Sequence, residues 1–135
     1  MDDKELIKEA VRARSFSYAP YSDYHVGAAL LTASGKVYTG CNVENAAYTP
    51  SNCAERTAVF KAVSEGEREF TAIAIVGGYD DRDTGYSYPC GVCRQVLNEF
   101  SGGDLKIIVG TGPDDYTVHR LSDLLPFAFG PKNLD

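Results

Sequence analysis

Two short stretches constrain this chain more than anything else in it: Cys53-Ala54-Glu55 and, well downstream, Pro89-Cys90-Gly91-Val92-Cys93. Together they carry three thiols and one carboxylate. Three thiolates can hold a zinc ion and leave its fourth tetrahedral position open to water. A Glu two residues after the first thiol can then move protons at that position without ligating the metal. Any fold this sequence adopts has to bring the two stretches together.

Hydrophobic periodicity indicates how that can happen. Asp3 to Ser17 reads as an amphipathic helix, with Leu6, Ile7, Ala10 and Val11 near helical spacing. His25 to Ala33 and Lys36 to Val43 read as a hairpin around Ser34-Gly35. A loop, Glu44 to Asn52, leads to a second helix from Ala54 to Ser64. Phe70 to Val76 is an apolar strand, and Gly77 to Tyr88 a long polar loop. Gly91 to Phe100 is a third helix and Leu105 to Val109 another buried strand. Tyr116 to His119 reads as an edge strand, followed by a short helix from Ser122 to Leu125 capped by Ser122. Strands alternating with helices imply one α/β domain over residues 1–135: three layers, α/β/α, around a central sheet of about five strands. Pattern alone does not give the strand order.

On this map Cys53 stands just before the second helix, and Cys90 and Cys93 bracket the start of the third. Helix N-termini carry partial positive charge and free N–H groups, which stabilise thiolates. Zinc with three thiolates carries a net charge of about −1, which weakens it as a Lewis acid. Arg56 and Arg94 are therefore candidates to hydrogen-bond the ligand sulfurs and restore electrophilicity. Two other readings of the cysteines stand beside this one: Cys90 and Cys93 as a redox pair, or a closed four-thiol zinc site that adds Cys41. For Cys41 itself, the reading is a small buried hydrophobe.

Bulk properties narrow the function classes. A net charge of −6 and a pI near 4.8 argue against binding long nucleic acids and favour a small neutral ligand. No apolar run approaches the roughly 20 residues that span a bilayer. The charged start, Met1-Asp2-Asp3-Lys4-Glu5, lacks the features of a secretion signal, so a cytoplasmic, reducing location is expected.

A Cys or His, then Glu, then P-C-x-x-C, is the signature of zinc deaminases acting on nucleobases. Beyond it, the chain resembles the small homotetrameric cytidine deaminases of nucleoside salvage. The resemblance runs from Ala19-Pro20-Tyr21-Ser22 through Val26-Gly27-Ala28-Ala29-Leu30-Leu31 and Gly40-Cys41-Asn42-Val43-Glu44-Asn45. It continues in Cys53-Ala54-Glu55-Arg56-Thr57-Ala58, Pro89-Cys90-Gly91-Val92-Cys93-Arg94-Gln95 and Phe129-Gly130-Pro131.

That resemblance implies roles. Cys53, Cys90 and Cys93 would bind one Zn2+ per chain, and Glu55 would shuttle protons. Asn42 and Glu44 would bond the ribose hydroxyl, with Ala54 and Tyr24 as further substrate contacts. Tyr48 and Phe129 would add aromatic surface to a pocket, that of a neighbouring subunit in a homotetramer. The implied reaction is hydrolytic deamination of cytidine or deoxycytidine.

Two departures bear on substrate range. Tyr24 stands where the family often has Phe, and the stretch from Gly77 to Tyr88 looks long. They leave a modified cytidine or blasticidin-like nucleoside as an alternative substrate, and a structural zinc module as a non-enzymatic one.

Overall fold

A capping box starts the chain: the Glu5 amide donates to Asp2 Oδ1 at 2.8 Å, and the Asp2 amide to Glu5 Oε2 at 3.4 Å. The first helix, α1, then runs Asp3–Arg14. The expected helix reached Ser17. It stops earlier because Ser15 turns its hydroxyl back onto the Arg12 carbonyl at 2.7 Å. The computed structural model describes residues 1–134.

The strands are β1 (His25–Thr32), β2 (Val37–Cys41), β3 (Phe70–Gly78), β4 (Lys106–Gly112) and β5 (Asp115–Arg120). They form one sheet in the order β2-β1-β3-β4-β5. β3 and β4 pair in parallel and every other neighbour pair is antiparallel, so the sheet is mixed. Helix α2 (Ala54–Ser64) carries the chain from β2 to β3, and α3 (Gly91–Phe100) carries it from β3 to β4. The short helix α4 spans Leu121–Leu124, and a 3₁₀ turn covers Pro131–Leu134. The expected cap at Ser122 is corrected: Arg120 is the N-cap, without a side-chain bond. Buried Leu121 sets the start, its amide donating to Leu105 O at 2.9 Å.

Strand alternation sends successive side chains to opposite faces. Ala28, Leu30, Ile73, Ile75, Ile107 and Val109 pack beneath α2 and α3 with Ala58, Val59 and Leu97. Ala29, Ala72, Ala74, Val76 and Ile108 pack beneath α1 with Leu6, Ile7 and Ala10. Both faces are covered, which is why the central strands read as continuous apolar runs.

Two glycines set how closely the helices sit. A Cβ on Gly27 would lie 2.1 Å from Ala10 O, and one on Gly40 would lie 2.5 Å from Ala54 O. The first admits α1 to one face and the second admits the start of α2 to the other. Both β2 and β3 run antiparallel to β1, hence parallel to each other. The helices that follow them therefore begin at the same end of the sheet, on the same face. Among the described residues, no helix is long and apolar enough to cross a membrane.

Candidate active site

The N-termini of α2 and α3 meet at that end of the sheet, and Cys53 and Cys90 are their N-cap residues. Cys93 lies in the first turn of α3, fully buried. The three sulfurs all lie within 4.8 Å of one another. Cys53 Sγ is 3.9 Å from Cys90 Sγ, which is 3.4 Å from Cys93 Sγ. Zinc–sulfur bonds of about 2.3 Å in a tetrahedron place ligand sulfurs about 3.8 Å apart. The thiols therefore fit a zinc ion in number, softness and spacing.

Among the described residues, no fourth His, Cys, Asp or Glu side chain joins this group. Cys41 follows Gly40 on β2 and so points to the opposite face from the α2 start. The four-thiol site is thereby excluded. Burial raises the Cys41 pKa, the opposite of a metal-ready thiolate.

Charge on the cluster is asymmetric. A hydrogen bond from Cys93 and the neighbouring Arg56 guanidinium lower the Cys53 pKa to about 5, against the opposing effect of burial. Cys93 shifts the other way, because it donates to Cys53 and lies buried beside its negative charge. Without metal, Cys53 is the thiolate and Cys93 keeps its proton; metal binding releases it.

The Arg56 Nη2 donates to Cys53 Sγ at 3.1 Å. Its buried Nε has no hydrogen-bond partner among the described residues. Arg94 is directed elsewhere: Nε donates to Pro89 O and Nη1 to Leu124 O, each at 2.7 Å. With its guanidinium taken up by these two carbonyls, it braces the ligand-bearing loop instead of a sulfur.

Glu55 is 5% exposed in the first turn of α2. Burial, helped by the negative charge of Cys53, raises its pKa to about 7. Such a carboxyl can hold and release a proton at neutral pH. It opens onto a cleft of about 420 Å³ shared with Cys53, Cys90, Ala54 and Arg56. That volume is within the usual range for small-molecule sites.

Asn42, Glu44 and Tyr24 line the same cleft. The Asn42 side chain is already heavily engaged. Its Oδ1 accepts from Val26 N at 2.9 Å and from the Ser17 hydroxyl, and its Nδ2 donates to Tyr24 O at 2.7 Å. One amide N–H remains for a ligand. Glu44 accepts from the Tyr21 and Ser22 amides and the Ser22 hydroxyl, which lowers its pKa, the hydroxyl contributing most.

Tyr48 lies outside this cleft, in a shallower recess beside Glu44, with its ring edge-on to Tyr21 at 6.1 Å. Phe129 is likewise not in its own chain's cleft. Gln95 and Asn98 on α3 bond its carbonyl and hold its ring exposed.

Sequence reasoning missed Ser22, Val26, Ser51, Asn52, Ser87 and Tyr88 as cleft residues. Ser22 and Val26 lie within motifs that carry the resemblance and Asn52 stands just before Cys53, so for these three a signal was present. For Ser87 and Tyr88 the usable signal was their position just before Pro89.

Three thiols that can hold zinc, sharing a cleft with a buried carboxyl, match the parts of a zinc hydrolase site. Comparison with known proteins sharpens that class. Residues 1–111 match the family model of the cytidine and deoxycytidylate deaminase zinc-binding region. A cytidine deaminase of Sporosarcina psychrophila is 46% identical over 134 residues, covering 99% of this chain and 96% of the relative. One from Halalkalibacterium halodurans is 48% identical over 136 residues, covering 100% and 99%. The crystal structure of cytidine deaminase from Burkholderia pseudomallei superposes with a TM-score of 0.87 at 49% identity, covering 96% of this chain and all of that one. The chain belongs to the cytidine and deoxycytidylate deaminase zinc-binding family, and its three-thiol centre is that family's zinc site.

Proposed function

We propose that this protein, as one domain spanning its 135 residues, hydrolyses cytidine and 2'-deoxycytidine to uridine and 2'-deoxyuridine plus ammonia. The reading places it in pyrimidine salvage in the cytoplasm. Its main support is Glu55: a buried carboxyl with a pKa near 7, opening onto a cleft shared with a zinc centre. The full-length relatives named as cytidine deaminases support the substrate.

Cys53, Cys90 and Cys93 would hold zinc, which would supply Lewis acidity toward the attacking water. Glu55 takes the first proton of the attacking water and places it on ring N3 while the oxygen joins C4. Glu55 then carries the second proton to the amine, the C4–N4 bond breaks, and ammonia leaves. Arg56 draws charge from the Cys53 sulfur. Asn42 and Glu44 orient the sugar, Asn42 through its one free N–H. Ala54 and Tyr24 contact the base.

The same reading includes a homotetramer in which Tyr48 and Phe129 complete a neighbour's pocket. Its support is the exposure of Phe16, Phe60, Phe127 and Phe129. Sedimentation in solution decides the assembly.

Ammonia release from the zinc-loaded protein with cytidine tests the reaction. The parent turns over; Glu55→Gln keeps its fold and one zinc per chain and loses about 10²–10⁴-fold or more in kcat. Near-parental turnover in that variant defeats the assignment.

A further inference from the structure

The loop between β3 and α3 approaches the cleft through Ser87. This side chain is 7% exposed, one of few buried polar side chains among the described residues. Its hydroxyl is hydrogen-bonded to the Tyr24 hydroxyl. A place has been cleared for it: a Cβ on Gly77 would lie 2.6 Å from Ser87 Oγ and 3.0 Å from Ser87 Cβ. β3 is reduced to bare backbone where Ser87 sits.

Tyr24 is thus gripped at two points of the loop. At its start, the Tyr79 ring meets the Tyr24 ring edge-on at 5.2 Å, with the Arg82 guanidinium 4.0 Å above Tyr79. At its end, Ser87 holds the phenolic oxygen. Three residues beyond Ser87 comes Cys90, a sulfur of the zinc site.

We propose that Ser87 is a positioning residue: by clasping the Tyr24 hydroxyl it locks the loop and the Tyr24 ring together as one wall of the nucleoside cleft. The proposal rests on the reading of this cleft as the nucleoside site. It also gives the Tyr24 hydroxyl a structural purpose. The hydroxyl engages Ser87 instead of standing unpaired against the substrate.

A wall contact is made in the ground state and the transition state alike, so loosening it raises KM and spares kcat. Removing the Tyr24 hydroxyl leaves the buried Ser87 hydroxyl without its partner, and removing the Ser87 hydroxyl frees the half-buried Tyr24 ring. The zinc-loaded Ser87→Ala variant is expected to show a KM for cytidine about three- to tenfold higher, with kcat within about twofold of the parent. Tyr24→Phe keeps the ring and removes the same bond, so it gives a rise of the same size. The double variant is no worse than either single, because only one bond exists to lose.

Amide exchange over residues 79–90, measured without substrate, should rise in both singles. Unchanged KM in both singles, or effects that multiply in the double, overturn the proposal. If the parent fails to turn over cytidine, the functional reading falls and the exchange arm decides alone. Faster exchange in both variants supports the clasp, and unchanged exchange removes it.

Discussion

Two loops deliver the site, and they are held differently. The β2–α2 loop, residues 42–53, has backbone pairing beneath the side-chain bonds of Asn42 and Glu44. Val43 exchanges two hydrogen bonds with Asn52, at 3.0 and 2.9 Å, and Tyr18 bonds the chain on either side of Val43. The β3–α3 loop, residues 79–90, is anchored by side chains: Tyr79 and Ser87 to Tyr24, Tyr86 to Asp115, Tyr88 against His119 at 5.5 Å. Backbone pairing survives most substitutions, whereas side-chain anchoring depends on particular residues. The first loop leads to Glu55 and the second shapes the wall opposite. The chemistry draws on both loops, Cys53 at the end of the first and Cys90 at the end of the second, and the wall before Cys90 is the part that single substitutions can retune.

The largest expected effect separates what each loop contributes. Glu55→Gln, on the first side, loses turnover and keeps zinc. Cys90→Ser, on the second, loses zinc and turnover together, because a ligand has gone. Zinc per chain, measured beside ammonia release, reads both. Equal zinc loss in the two variants would erase the distinction.

Asn42→Ala tests the first loop at its side-chain keystone. The substitution leaves the Val26 amide, the Tyr24 carbonyl and the Ser17 hydroxyl without their partner. A cost of about 2–3 kcal/mol is expected, seen as a lower melting temperature at constant zinc. A cost under about 0.5 kcal/mol would mean that the backbone bridges alone hold this loop.

Much of this arrangement was legible in the sequence, for reasons that name its limits. The bounds of α2 and α3 were read to the residue, because each starts at a cysteine cap and ends at a clear break in the pattern. The three thiols followed from type and spacing. Strand order was not legible, since pairing is decided between segments. Arg56 and Arg94 looked alike as neighbours of ligands. Arg56, three residues after Cys53, donates to its sulfur, whereas Arg94, four residues after Cys90, is taken up by the Pro89 and Leu124 carbonyls, partners that only the fold brings there. Ser87, a loop hydroxyl, has no periodicity to mark it; beyond its place just before Pro89, its signal is Gly77, ten residues away.

Arg56→Gln sharpens the comparison at the sulfurs. Cys53 receives a charged donor from Arg56, whereas Cys90 receives the neutral Cys93 amide at 3.4 Å. Losing the charged bond should lower kcat about tenfold while zinc is retained. An unchanged kcat would show that the thiolate charge needs no such relief.

The smallest effect comes from acid. Glu44 braces the first loop and Asp115 the second. Both carboxyls titrate below their ordinary values of 4.5 and 3.8, held down chiefly by the Ser22 and Tyr86 hydroxyls respectively. A depressed carboxyl contributes stability that is present above its unfolded-state pKa and lost as pH falls through the folded one. Both braces are therefore intact at neutral pH and weaken below about pH 4. When Glu44 takes up its proton, the Val43–Asn52 bridge still holds the first loop. When Asp115 does, the second loop keeps its ring contacts, Ser87, the Arg14–Asp80 pair and the Arg94 bond to Pro89 O, but no backbone pairing of that kind. Amide exchange, corrected for its intrinsic pH dependence, should thus rise on acidification over residues 79–90 more than over 42–52. Tyr86→Phe should bring part of that rise to neutral pH in the second loop alone. Equal acid responses in both loops would mean that the division into a backbone-held and a side-chain-held half does not govern their stability.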